Sequence, residues 1–205
     1  MFFQWMRITL WLLLALSQVS CLNFGSTSVP VIKEYQLQAP AIAPLAMPKT
    51  STTLVVKEGF IAPMNRSLAI AYQIKAYQIH YFVESRWQTL PSSMITVALA
   101  ETLQNSGLFK AVVVAPPFVG PIDQTVTVNL LGLVQIFDVT QQHACLDMHL
   151  QVVLSNGVTG KIDAIKDFTA RVPADPTPVG GVVAANRALQ QLLPEIMTFI
   201  VKAHG

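Results

Sequence analysis

The sequence predicts an α+β fold: a mainly antiparallel or mixed sheet with two amphipathic helices packed on one of its faces. Two segments carry apolar residues at helical spacing, giving one stripe each. Several others alternate apolar and polar residues with the period of a half-buried strand. An Asn156-Gly157 pair between two such segments is a hairpin signal. Placing both stripes against one face of the sheet buries all the apolar surface and leaves the other face to solvent or a partner.

The elements follow in order. A first strand falls at 35–38, then a loop at 39–53 with prolines at 40, 44 and 48, and a second strand at 53–57. The run 68–87 is rich in β-branched and aromatic residues and reads as two strands, 69–74 and 79–84, joined by 75–78. Ser92 or Ser93 is placed to cap a helix over 94–106, where Ile95, Ala98, Leu99, Thr102 and Leu103 share a face and Gly107 supplies the stop. A short apolar strand at 109–115 ends at Pro116-Pro117. The segment 124–137 alternates, with Val126, Val128 and Leu130 against Thr125, Thr127 and Asn129, and Gly132 marks a bulge or bend. The alternation is cleaner over 143–154, which the Asn156-Gly157 turn joins to a strand at 159–170. A proline-rich break at 173–178 precedes a last helix at 182–203. Its apolar face is Ala185, Ala188, Leu189, Leu192, Leu193, Ile196 and Ile200, and Pro194 predicts a kink. Met94, Met148, Met197, Tyr72, Tyr81, Phe82 and Trp87 are expected in the core, with a lipid-contacting groove as the alternative.

The 205 residues suffice for one domain with a proper core. Charged residues are 12% of the chain, about half the usual share of roughly 25%. Discounting Arg7 in the leader, 12 of the 13 basic side chains face 11 acidic ones, a balance that excludes the clustered basic footprint of a nucleic-acid binder. A surface so poor in charge points towards a covering partner or membrane.

The N-terminus has one basic residue, Arg7, then a run at 8–16 that is apolar apart from Thr9, then small and polar residues. This is the pattern of a secretory signal peptide. The run is about half of the ~20 residues a spanning helix requires. The segment 16–21 resembles a bacterial lipobox, with Ser20 before Cys21 and Gln18 in place of the usual Leu. The expected organisation is therefore a lipoprotein signal peptide at 1–20, a lipidated tether at 21–34 and one domain at 35–205. Acyl chains on Cys21 would anchor the protein, since each buried methylene contributes roughly 0.8 kcal/mol. Leu22 after the cysteine, rather than Asp, points by analogy to the outer membrane. With Cys21 acylated, Cys145 is a lone thiol.

His143, Cys145, Asp147 and His149 alternate along one strand and project from one face, the only set with metal-ligand residue types at a sensible spacing. Without CxxC or HExxH beside it, the expectation is a solvated sheet face and no metal or cofactor. No G-x-S-x-G elbow is present. Gly180-Gly181 precedes a helix, but the Lys and Ser/Thr of a phosphate loop are missing. Asp163 and Asp167 have no catalytic partner in view. No catalytic residues are expected.

Taken in order, the landmarks resemble the ABC-type transport auxiliary lipoprotein family (PqiC/YmbA-like). They are the lipobox cysteine, Tyr35-Gln36-Leu37, Leu54-Val55-Val56, Ile70-Ala71-Tyr72, Tyr81-Phe82, and Arg86-Trp87 with Pro91 introducing a helix that holds Met94, Leu99 and Leu103. Gly107-Leu108-Phe109, a central strand pair and an Ala/Leu-rich last helix complete the set. The resemblance implies a non-enzymatic outer-membrane accessory of an MCE-type ABC lipid-transport system, attached through Cys21, with an MCE-family periplasmic protein and its transporter as partners. It allows a homo-oligomeric ring. Other classes left open are a periplasmic small-ligand or metal-binding lipoprotein and an assembly factor unrelated to transport.

Overall fold

A computed structural model describes residues 31–41, 49–115 and 122–204. Among these the chain forms β1 (Lys33–Tyr35), β2 (Thr53–Ile61), β3 (Ala69–Gln73), β4 (Ile79–Trp87), α1 (Pro91–Asn105), β5 (Ala111–Val114), β6 (Gln124–Phe137), β7 (Ala144–Asn156), β8 (Ile162–Ala174) and α2 (Pro178–His204). The eight strands make one mixed sheet covered by the two helices, an α+β fold as the residue patterns predict.

β6 organises the sheet. Along one flank it pairs antiparallel with β7 over its whole length, and β7 pairs antiparallel with β8. Along the other flank two strands share it end to end, both parallel. β2 takes the first half, up to Ile61↔Leu130, and β3 takes the end at Tyr72↔Gln135. The sheet therefore forks. β5 lies outside β2, while β4 and then β1 lie outside β3.

Two devices make the fork possible. The first is the bulge between Leu130 and Gly132, which shifts the pleat of β6 by one residue. Before it Val126, Val128 and Leu130 face the core opposite Leu154, Val152 and Leu150; after it Leu133 and Gln135 do so, opposite Met148 and Leu146. Without the extra residue Leu133 would turn outwards. The second is Asn65, in a 3-10 turn between β2 and β3. Its amide donates to Leu133 O at 2.8 Å and accepts from Leu133 N at 3.1 Å, so a side chain takes the place of a strand where neither β2 nor β3 reaches.

Both helices pack on the core face, α1 over β2 and β5, α2 over β8 and β7, and they touch each other. All five residues of the expected α1 stripe and all seven of the α2 stripe are buried. Complete burial of one such Leu or Ile contributes roughly 1.5–3 kcal/mol.

Several boundaries differ from the sequence reading. The first strand is 33–35 rather than 35–38, because the chain leaves the sheet at Gln36 to cross the helices. β2 runs on to Ile61. Neither Ser92 nor Ser93 caps α1. Pro91 at the first helical position starts it after Leu90, and both hydroxyls instead donate to Glu58, at 2.9 and 2.6 Å. That carboxylate sits beside the positive end of the helix dipole. The β7–β8 turn is longer than an Asn-Gly pair: Asn156 Oδ1 accepts from the amides of Val158 and Thr159, and Gly160 adopts φ 70°. Gly157 is instead required by close approach, since a Cβ there would lie 2.5 Å from Ile122 O. β8 continues through Pro173, tolerated because β8 is an edge strand. α2 begins at Pro178 and continues through Pro194. Met148, Met197 and Trp87 are core; Tyr81 is not, at 43% exposed.

Candidate functional site

Three surfaces carry the groups that could act: the sheet face away from the helices, the start of α2, and the groove where the chain crosses from β1 onto the helices.

On the open sheet face the alternation of β7 does project Cys145, Asp147 and His149 together, and a side chain of β8 holds Asp147. Arg171, opposite Asp147 in the β7–β8 register, grips both carboxylate oxygens, with Nε donating to Oδ1 at 2.5 Å. His149 Nε2 lies 3.8 Å from Asp167 Oδ2. Partial burial, reinforced by the charge of Asp147, pushes the Cys145 thiol above its ordinary pKa and keeps it protonated, while Arg171 opposes the shift. His143 precedes the strand, and its amide donates to Asp138 Oδ1 at 3.2 Å. A hydrogen bond from Thr140 heads the causes that hold the Asp138 carboxyl below its usual range. Among the described residues no group of three or more His, Cys, Asp or Glu side chains is placed to hold a metal.

Beside this cluster a polar ladder crosses four strands. Phe60 N donates to Asn129 Oδ1 at 2.7 Å, Asn129 Nδ2 to Gln151 Oε1 at 3.0 Å, and Gln151 Nε2 to Asp167 Oδ1 at 2.9 Å. Asp167, unassigned from sequence, is thus the terminus of this ladder and the neighbour of His149. Within the ladder each side chain bonds the next, whereas His149 Nε2 is buried without a hydrogen-bond partner among the described residues.

At the start of α2, Thr177 Oγ1 accepts from Gly180 N at 3.0 Å and caps the helix. The two glycines have a packing role. A Cβ on Gly180 would stand 2.3 Å from Asp175 O, and one on Gly181 would stand 2.3 Å from Gln135 Oε1. Gln135, wholly buried, donates to the carbonyls of Asp175 and Thr177 and so pins the helix to β6.

After β1 the chain runs as an arm over both helices. Leu37 is buried, and its amide meets Met94 Sδ at 3.3 Å. Asn186 of α2 clasps the arm from the other side, accepting from Gln38 N at 2.9 Å and donating to Gln36 O at 3.3 Å. Between arm and α1 lies an open groove of about 720 Å³, with Met94, Val97 and Ala98 on its floor and Gln36, Gln38 and Gln88 at its rim. Sequence reading passed over Asn186. An amide in a long helix beside an otherwise apolar stripe was the available signal.

Cys21, the leader at 1–20 and most of the expected tether lie outside the described residues. Among the described residues no helix is long and apolar enough to cross a membrane.

Comparison with known proteins agrees with this architecture. The family model described as ABC-type transport auxiliary lipoprotein component matches residues 35–197. No curated protein sequence matches the chain. Among solved structures, protein XCC0632 from Xanthomonas campestris, of the DUF330 family, superposes with a TM-score of 0.74 at 17% identity, covering 84% of this chain and 96% of its own. A second structure, of a protein described only as uncharacterized, gives a TM-score of 0.58 at 14% identity, covering 83% of this chain and 99% of its own. At these identities the likeness shows the fold.

Proposed function

The chain belongs to the ABC-type transport auxiliary lipoprotein component family, and from that premise we propose that it is a non-enzymatic lipoprotein of the outer membrane's periplasmic face, attached through an acylated Cys21. There it docks an MCE-type ABC lipid-transport system to the envelope. The observation that carries the reading is the family match over 35–197, which spans nearly the whole folded body. Two further features support it. The leader ends in a lipobox-like segment with cysteine at position 21. The polar side chains of the open sheet face bond to one another, leaving a broad surface suited to contact rather than turnover.

Attachment and partnership are tested separately. Cells fed labelled palmitate should incorporate it into the wild-type protein and not into Cys21→Ser, which should appear in the soluble periplasm. An unlabelled wild-type protein would remove the anchor from the proposal. Mild crosslinking of envelopes followed by purification should recover an MCE-family protein with the wild type. Recovery of the lipoprotein alone, from cells that express such a system, would remove the docking role.

A further inference from the structure

At one end of the sheet the fold leaves a group of apolar side chains bare. Tyr77, at the tip of the β3–β4 hairpin, is fully exposed, and Ile79, Tyr81 and Val83 follow it along β4 with exposures between 36% and 86%. β6 runs parallel to β3, with Gln73 opposite Ile136, so the β6–β7 turn stands at the same end, and it presents Val139, 86% exposed. Single exposed apolar residues are ordinary, but a run of aromatic and aliphatic side chains at neighbouring tips marks a contact surface. Tyr77 also holds φ 67°, a left-handed conformation that a bulky side chain enters at a cost.

Another strand is a poor occupant for this surface. β1 covers β4 only from Ser85 onwards, and the irregular pairing between Tyr81 and Arg86 bends the remaining edge out of ladder geometry.

Charge and chain path favour lipid. From 74 to 83 the one Lys, Arg, Asp or Glu is Lys75, a cation in the hairpin turn. Asp138, in the neighbouring turn, directs its carboxylate to Thr140 and to the amides of Gln142 and His143. Tyrosines with aliphatic neighbours and a cation suit a lipid headgroup layer, which accepts an apolar body and a polar tip together. β1 runs parallel to β4, so the chain reaches Lys33 from the hairpin end. Ile32 lies eleven residues after Cys21, at most about 40 Å of chain at roughly 3.6 Å per residue, so an anchored body has this end within reach of the bilayer.

We propose that the tip of the β3–β4 hairpin and the β6–β7 turn sit in the headgroup layer of a phospholipid bilayer. The body then stands end-on and keeps its helices and its polar sheet face free for a partner. This orientation rests on the membrane attachment argued above and adds a second contact to it.

The full-length protein, purified in detergent and returned to vesicles of phosphatidylethanolamine and phosphatidylglycerol, reads anchor and hairpin separately. Flotation with the vesicles reports the anchor. An environment-sensitive fluorophore on Tyr77→Cys reports the hairpin, in a Cys145→Ala background with Cys21 occupied by its acyl group. The control is Val158→Cys in the β7–β8 turn, at the far end of the sheet, about 40 Å away along β6 at roughly 3.3 Å per residue. Phospholipid with brominated chains should quench the label at 77 at least about twofold more than the label at 158. Adding Tyr81→Glu, a change at an exposed side chain, should remove that difference without stopping flotation. Flotation with equal quenching at 77 and 158, or a difference that persists with Tyr81→Glu, would overturn the hairpin contact and leave the anchor standing. Failure to float would overturn the anchor and the orientation with it. A label at 77 shielded from aqueous iodide as well without vesicles as with them would mean that protein covers the hairpin, and would overturn the lipid contact too.

Discussion

At the scale of single residues, the most consequential position is one the sequence does not advertise. Asn65 follows Pro63-Met64 in what reads as an ordinary turn, yet its amide closes the gap in the fork by bonding both backbone groups of Leu133. Asn65→Leu would leave those groups buried and unpaired, and we expect a loss of about 2–4 kcal/mol, read from the urea midpoint. Cys145 shows the reverse case, a residue conspicuous in sequence whose surroundings quiet it. Its thiol pKa is raised by burial first and Asp147 second, so alkylation near pH 8 should be slower than in the unfolded chain. Asp147→Asn should speed it by removing the adjacent negative charge and freeing Arg171. The sign for stability follows. The folded state keeps its thiol proton longer than the unfolded one, so this contribution is present below the unfolded thiol pKa, near 9.0, and is lost as pH rises through the folded value. Measuring unfolding between neutral and alkaline pH in wild type and Cys145→Ala isolates it.

At the scale of elements, the periodic segments were legible and their ends were less so. The stripes of α1 and α2 and the bounds of β6 follow from side-chain spacing, because a 3.6 or a 2.0 period survives whatever the element packs against. The ends depend on what lies nearby. Ser92 and Ser93 look like caps until Glu58 comes across from β2 to take both hydroxyls, and Gly180-Gly181 looks like a loop until Asp175 and Gln135 are seen pressing on it. The glycines order two substitutions. Gly180→Ala drives a methyl into a backbone carbonyl and should cost about 1–3 kcal/mol. Gly181→Ala meets the movable end of the Gln135 side chain and should cost less. Thermal melting of the two variants side by side checks the order. The bulge at Gly132 was also legible, but its effect was not: it moves the core parity of β6 from even to odd positions, which makes Gln135 an interior residue.

At the scale of the whole molecule, the arm that follows β1 is fastened across the helices, held by Leu37 on one side and Asn186 on the other. Asn186→Ala should expose the Gln38 amide to hydrogen exchange at a cost of about 1–2 kcal/mol, while amides in β6 and β7 keep their protection. Equal loss of protection in both places would mean the arm is not a separate unit. The surroundings of the His143, Cys145, Asp147 and His149 set depended on the same long-range information. Strand periodicity correctly put Cys145, Asp147 and His149 on one face, but Arg171 and Asp167 reach them from β8. The sequence alone determined the α+β class, the two buried helix stripes, the long antiparallel hairpin and the family, since these rest on local period and on the order of landmarks. Only the tertiary structure decided the forked parallel pairing on β6, the side chain that fills the fork and the neutralisation of the polar face. Each joins residues dozens of positions apart, and neither propensity nor spacing carries information over that distance.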